Sequence, residues 1–122
     1  PAAPNEYSTD QAGLSAAARP GRTIEYRIRY RNLSTDAPDG SGSVELPANN
    51  LVITEDGLDA PNNWFTTTRD AVGATNPGSA TDTNGGAIST TPNNGDIQIY
   101  VNTLTTLAPQ TSGTFTFRRR IR

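Results

Sequence analysis

Five carboxylates lie in two turn-rich stretches and are the side chains best suited to hold a metal ion. Glu55, Asp56 and Asp59 follow the apolar run LVIT, and Asp36 and Asp39 lie in an earlier loop. Proteins bind Ca²⁺ through about six to eight oxygen ligands, mainly carboxylates and carbonyls. We therefore name Glu55, Asp56 and Asp59 as a candidate calcium site. The alternative is that Asp59 caps a turn, since no D-x-D-x-D-G loop is present.

Paired carboxylates can also hydrolyse glycosides, but the composition favours a protein without enzymatic activity. The sequence has neither histidine nor cysteine, which removes the usual general base and the Ser-His and Cys-His nucleophile pairs. Only Trp64 and Phe65 could supply the aromatic platform of a sugar site. Lysine is absent too, so an intramolecular Lys-Asn bond cannot form. We expect no cofactor, with calcium as the one open possibility.

Arginines recur at alternate positions in TIEYRIRYR, from Thr23 to Arg31, and again in the final residues RRRIR. The formal net charge is nevertheless -2. Because nucleic-acid-binding domains draw most of their affinity from a basic surplus, we expect no nucleic-acid partner. A solvated face and a contact between subunits remain as alternatives. The candidate subunit-contact residues are these arginines and two N-terminal apolar residues: Arg27, Arg29, Arg31, Arg118, Arg119, Arg120, Arg122, Tyr7 and Leu14.

Asn32, Leu33 and Ser34 form a glycosylation sequon directly after the first arginine-rich segment, so Asn32 is a candidate glycosylation site. Such triplets also occur frequently by chance. No apolar run approaches the roughly 18 residues of a membrane span, and we expect no membrane insertion. The chain begins with PAAP, which fits either a processed secreted protein or a boundary inside a longer chain.

Strands with turn signals between them are the elements that must position these residues. In Thr23 to Arg31, β-branched and aromatic residues alternate with polar ones, which is typical of a half-buried strand. Similar patterns predict strands near residues 44–46, 51–56, 64–68, 96–104 and 114–122. Residues 69–95 read as a long excursion with a short strand near Ile88, and Trp64 as a core anchor. The sequence therefore predicts an all-β, antiparallel immunoglobulin-like sandwich of about seven strands.

Residues 1–19 contain few large apolar side chains and end at the breaker Arg19-Pro20-Gly21. We read them as an extended N-terminal arm or linker, followed by a sandwich domain over residues 20–122. An extended arm can pair with the open edge of a neighbouring sandwich. We expect the chain to form a homo-oligomer or polymer in this way.

Three stretches, ARPGRTIEYRIRYRN, LVITEDGLDA and TLAPQTSGTFTFRRRIR, together resemble a bacterial cell-surface conserved-repeat domain known as domain of unknown function eleven. The family pattern has a Pro-Gly turn, a Y-x-I-x-Y/V-x-N strand, a V-x-I-x-D strand and an L-A-P-G turn before the last strand. This sequence follows the pattern over residues 18–122, except that Gln110 replaces the glycine of the last turn. The resemblance implies an immunoglobulin-like sandwich in secreted or cell-surface proteins, without enzymatic activity.

From these observations we expect a non-enzymatic, extracellular structural protein at the cell surface. It would be the subunit of a filament or a module of a longer surface protein, assembling through strand or arm contacts. The alternative is an adhesive or carbohydrate-binding surface module with a glycan as its partner.

Overall fold

The computed structural model describes residues 19–35, 45–61 and 63–122. The predicted arm, residues 1–18, and the acidic residues Asp36 and Asp39 lie outside these ranges. The described chain contains seven strands: β1 (Thr23–Arg31), β2 (Ala48–Asp56), β3 (Thr68–Asp70), β4 (Thr81–Asp82), β5 (Ala87–Asn93), β6 (Asp96–Leu107) and β7 (Ser112–Ile121).

The strands form two antiparallel sheets, which confirms the predicted all-β sandwich. In the first sheet β7 lies between β1 and β3, and the short strand β4 also pairs with β7. In the second sheet β6 lies between β2 and β5. The central strand β6 therefore pairs with two strands and β7 with three, and the inward side chains of β6 and β7 are the most deeply buried.

Stacked aromatic rings join the two sheets in the core. Phe117 of β7 stacks on Tyr26 of β1 at 4.9 Å and on Tyr100 of β6 at 4.3 Å between ring centroids. Trp64 packs at an angle against both Phe117 and Tyr100. Its side chain is buried, as predicted for the single tryptophan. Because large aromatic side chains bury much apolar surface and interact specifically, this cluster holds the sheets at a fixed spacing.

Two predicted strands differ in the structure. Residues 64–68 form a turn in which the Thr68 amide donates to the Trp64 carbonyl at 3.2 Å, and β3 begins only at Thr68. Trp64 thus reaches the core from the segment that precedes β3. Glu45 and Leu46 are outside any strand, so the strand predicted there is wrong for these two residues. The short strand predicted near Ile88 is confirmed as β5.

Gln110 has the backbone conformation that the resemblance assigns to glycine. Its φ is 60°, in the left-handed region where side chains are disfavoured. The Gln110 side chain donates to the carbonyls of Leu33 and Ser34 and accepts a bond from Arg31. These hydrogen bonds offset the backbone strain and join the β6–β7 turn to the end of β1.

Candidate functional site

The outer face of the β1-β7-β3 sheet carries most of the arginines. Alternation along β1 directs Arg27, Arg29 and Arg31 away from the core, and the same alternation in β7 directs Arg118 and Arg120 outward. All five side chains are exposed. Since inward positions of both strands are apolar, this face follows from the sequence pattern, as predicted.

The register between β1 and β7 keeps these arginines apart. The arginines of β1 lie opposite serine and threonine residues of β7. The outward arginines of β7 lie opposite uncharged or acidic residues of β1. The outward pairs are Thr23 with Arg120, Glu25 with Arg118, Arg27 with Thr116, Arg29 with Thr114 and Arg31 with Ser112. Like charges directly opposite one another would destabilise the sheet. Of the outward pairs between described strands, only Arg69 with Arg120 has like charges.

The outward arginines differ in their partners. The Arg27 Nε lies 2.6 Å from Glu25 Oε2, and Arg31 donates to Gln110 at 3.0 Å. Neither Arg29 nor Arg118 forms a side-chain hydrogen bond or ion pair with any other residue that the structure describes, and the same holds for Arg120. Their guanidinium groups are thus directed to solvent and available to an external anion.

Arg119 does not lie at a subunit contact, because the structure buries it completely within the chain. Its guanidinium donates to Asp96 at 2.7 Å, to the Ile97 carbonyl at 2.9 Å and to the Tyr100 hydroxyl at 3.1 Å. It also bonds both the carbonyl and the hydroxyl of Thr68. The inward position of this arginine in β7 is explained by its ion pair with the buried carboxylate of Asp96, at the start of β6.

Arg122 belongs to the same internal cluster, although its side chain is half exposed. It lies 3.4 Å from Asp96 and donates to the Thr68 carbonyl at 3.1 Å. The guanidinium of Arg119 also lies 4.5 Å above the Trp64 ring, a favourable cation–π distance. These two arginines thus neutralise one of the protein's own carboxylates.

A second buried carboxylate, Asp70 in β3, organises the chain that follows it. It accepts hydrogen bonds from the amides of Val72, Gly73 and Ser79, from the Ser79 hydroxyl, and from the Tyr100 hydroxyl at 2.5 Å. Burial raises the pKa of Asp70, but the hydrogen bonds from Tyr100, Gly73 and Ser79 outweigh it and hold the pKa below its usual value. Burial, and then the bond to Asp70, raise the pKa of Tyr100. This carboxylate stabilises the turn between β3 and β4.

The three candidate calcium ligands do not converge in the structure. Asp56 accepts bonds from the Leu58 amide and the Gln98 side chain, which hold its pKa below the usual value. Glu55 points inward from β2, and burial raises its pKa. Within residues 19–35, 45–61 and 63–122, no three histidine, cysteine, aspartate or glutamate residues are grouped closely enough to hold a metal ion. Calcium binding stays a prediction without support from this geometry.

Asn32, the candidate glycosylation site, has a structural role at the end of β1. Its side-chain amide donates to the carbonyls of Leu46 and Leu107, and its carbonyl accepts from the Ser34 amide. A sugar on this amide nitrogen would replace one of the two donated hydrogens. The observed bonds therefore favour a role for Asn32 in joining three chain segments, and the glycosylation prediction stays untested.

The sequence analysis did not identify the free edge of β1 or a groove beside it. Strand β1 pairs with β7, and no other strand in the described part of the chain pairs with its second edge. The groove has a volume of about 600 Å³ and is lined by Arg29, Tyr30, Arg31, Thr83, Ser112, Gly113 and Thr114. Serine and threonine occupy the positions of β7 that face the β1 arginines. This pattern was the sequence signal from which the groove could have been predicted.

Comparison with family models, curated proteins and solved structures finds no match for this chain. The resemblance to the cell-surface repeat domain therefore stays a prediction. No helix among the described residues has the length and apolar character required to cross a membrane. Tyr7 and Leu14, the two apolar contact residues predicted in the arm, lie outside the described ranges.

Proposed function

We propose that this chain is a non-enzymatic structural unit of an extracellular surface assembly, either the subunit of a filament or a module of a longer surface protein. Neighbouring copies would be joined by adding an extended segment to the free edge of β1. The segment is residues 1–18 of the next copy. This proposal rests on the state of the β1 edge.

The inward side chains of β1 are incompletely covered, which supports the addition of another strand. Tyr26, Ile28 and Tyr30 pack against the core but are only partly buried. Phe115 and Phe117 of the neighbouring strand β7 are 0% exposed. An extended segment along β1 would bond its free backbone groups and cover these apolar side chains. Both contributions favour association.

Residues 1–18 have sufficient length for this contact. Fully extended, they would span about 60 Å, whereas the nine residues of β1 span about 30 Å. They join the described chain at Arg19, which accepts a bond from the Arg22 amide in the turn that precedes β1. A segment from one copy could thus reach the β1 edge of another. Contacts of this heterologous kind propagate into fibres unless their geometry closes a ring.

Deleting residues 1–18 tests the proposal directly. Polymers of the full chain should grow with protein concentration, and the deletion should abolish them while residues 19–122 still melt cooperatively. Size-exclusion chromatography with light scattering, negative-stain electron microscopy and thermal denaturation give the three readouts. A synthetic peptide of residues 1–18 should inhibit growth of the full chain, and a scrambled peptide of the same composition is the matched control.

Two outcomes count against this function. Polymers that persist without residues 1–18 would exclude the arm as the connecting segment. A full chain that stays monomeric at every concentration would exclude the filament subunit and leave a module of a longer protein. The adhesive or carbohydrate-binding alternative is supported by a separate observation, the exposed arginines beside the groove.

A further inference from the structure

The groove at the Arg31 end of the outer sheet face combines charged and hydroxyl groups. Arg29 and Arg31 lie along β1 at one side, Ser112 and Thr114 lie opposite them on β7, and Thr83 lies beyond. Its volume of about 600 Å³ is within the range of roughly 300–1,000 Å³ typical of small-molecule sites. The groove is therefore large enough to hold a segment of a polymeric ligand.

The groove is positively charged because Arg29 and Arg31 line it, although the protein as a whole has a net negative charge. Glu25 faces outward on β1 beside Arg27 and lies outside the groove. Asp82 of β4, which directly precedes Thr83, accepts hydrogen bonds from the Tyr30 hydroxyl and from the amides of Asn84 and Gly86. Arg29 has no partner among the described residues, and Arg31 is held by the neutral Gln110. Guanidinium groups bind carboxylate and sulfate through paired, charge-assisted hydrogen bonds. An anionic ligand is the chemistry that this groove matches.

The hydroxyl groups add a second requirement on the ligand. Each serine or threonine hydroxyl can donate one hydrogen bond and accept others, as sugar hydroxyls also do. The Thr83 hydroxyl oxygen accepts a hydrogen bond from the Thr114 amide. Ser112 and Thr114 form no side-chain bond with another residue in the described part of the chain. A ligand with both anionic groups and hydroxyls would use the whole groove.

Tyr30, the one aromatic residue in the groove lining, packs against the core, and its hydroxyl is bonded to Asp82 and Asn84. The outward positions of β1, β3, β4 and β7 carry no aromatic side chain. Single-stranded nucleic acid is held largely by stacking on such rings, and duplex binding depends on a basic surplus that this protein lacks. Neutral sugars also depend on apolar and aromatic contact surfaces. These observations argue against nucleic acid and neutral sugar as the ligand, and an anionic glycan that binds through its charge remains.

We propose that the groove lined by Arg29, Arg31, Ser112, Thr114 and Thr83 binds an anionic polysaccharide that bears carboxylate or sulfate groups. This inference deepens the carbohydrate-binding alternative and does not depend on self-assembly. The arginine and hydroxyl side chains of the site lie on the outer face of the sheet, whereas an added strand would bond the backbone edge of β1.

Calorimetric titration of the full chain at low salt tests the proposal with three polymers. Polygalacturonate carries carboxylates, dextran sulfate carries sulfates, and unmodified dextran is neutral. We expect at least one charged polymer to bind and dextran not to bind, and the preferred charged polymer identifies the anionic group. Raising the salt concentration should weaken binding because the ion pairs are exposed.

Two double variants locate the site. Arg29→Gln with Arg31→Gln should weaken binding about tenfold for each arginine removed, close to a hundredfold together, since each charge-assisted bond contributes on this scale. Arg118→Gln with Arg120→Gln removes the same charge from the same face outside the groove. This control should change affinity by no more than about threefold, because distant exposed charges are screened. The melting temperature of the control should be unchanged, because Arg118 and Arg120 are exposed and have no side-chain partner among the described residues. The Arg29 and Arg31 variant loses the Arg31–Gln110 hydrogen bond and should melt only a few degrees lower.

Four results would overturn the proposal. The first is that neither charged polymer binds, and the second is that both double variants lose the same affinity. The third is that duplex DNA binds as tightly as the better polymer. The fourth is that the Arg29 and Arg31 variant no longer self-assembles but still binds the polymer. The last result would assign these arginines to a subunit contact. Since polymerisation of the unmodified chain is measured separately, failure here leaves the proposed structural role standing.

Discussion

Replacing the buried Arg119 tests whether the internal ion pair stabilises the sandwich. Arg119→Met keeps most of the side-chain volume and removes the guanidinium, so the Asp96 carboxylate loses its 2.7 Å partner. Removing one member of a buried pair typically costs about 3–5 kcal/mol because the other charge is left uncompensated. Arg122 remains 3.4 Å from Asp96 and compensates in part. We therefore expect a loss near the lower limit, about 3 kcal/mol.

Urea denaturation at neutral pH measures this loss directly, as a lower midpoint with an unchanged slope. For a chain of this length, each kcal/mol corresponds to roughly 4 °C in melting temperature, so Arg119→Met should melt about 12 °C lower. The controls are Arg118→Met and Arg120→Met. These residues flank Arg119 in sequence but are exposed, and each should change the free energy of unfolding by less than about 0.5 kcal/mol.

If Arg119→Met lowered the free energy of unfolding by less than about 1 kcal/mol, or by as much as Arg118→Met, the ion pair would not stabilise the sandwich as argued. Where the single variant fails to fold, the double variant Arg119→Met with Asp96→Asn provides the test. Neutralising the carboxylate should recover part of the loss, since residues in direct contact are not additive. Additive losses would show that the ion pair is not the source of the destabilisation.

Two further predictions concern Glu55 and Gly113. Burial raises the pKa of Glu55, so its protonated form favours folding. Its full contribution is present below the unfolded pKa of about 4.3 and is lost as pH rises through the folded pKa. Glu55→Gln should thus melt at a higher temperature than the natural chain at pH 7, with the difference vanishing near pH 4; a difference that persists at pH 4 would contradict this cause. A Cβ on Gly113 would lie 2.3 Å from the Asn84 side-chain nitrogen and 2.3 Å from the Tyr30 hydroxyl, which crosses this glycine to reach Asp82. Gly113→Ala should cost about 1–3 kcal/mol by denaturation, as overpacking does, and the cost should shrink in a Tyr30→Ala background. An unchanged cost there would locate the strain elsewhere.

Part of the candidate surface could be predicted from the sequence because strand alternation has a fixed period. The outward positions of Arg27, Arg29 and Arg31 follow from their apolar neighbours in TIEYRIRYR. The identity of their cross-strand neighbours did not follow. It depends on the register with β7, which places Thr114 and Ser112 opposite two of these arginines. A shift of two residues would keep the same faces but change every pair.

The candidate metal ligands show the limit of sequence proximity as an argument. Glu55 and Asp56 are adjacent in the chain, yet successive residues of a strand point to opposite faces. Glu55 therefore turns toward the core, while Asp56 accepts bonds from the next turn and from Gln98 of β6. Carboxylates on adjacent residues of a strand therefore do not lie together as metal ligands.

The sequence by itself determined that this protein is an antiparallel sandwich, because period-two alternation and turn residues act locally. It also identified Trp64 as a core residue. Only the tertiary structure decided what Arg119 contacts. Its carboxylate partner, Asp96, begins β6 in the second sheet, so the two residues meet only when the two sheets pack together. A buried charge requires a partner, but the residue that supplies it depends on the packing of distant segments.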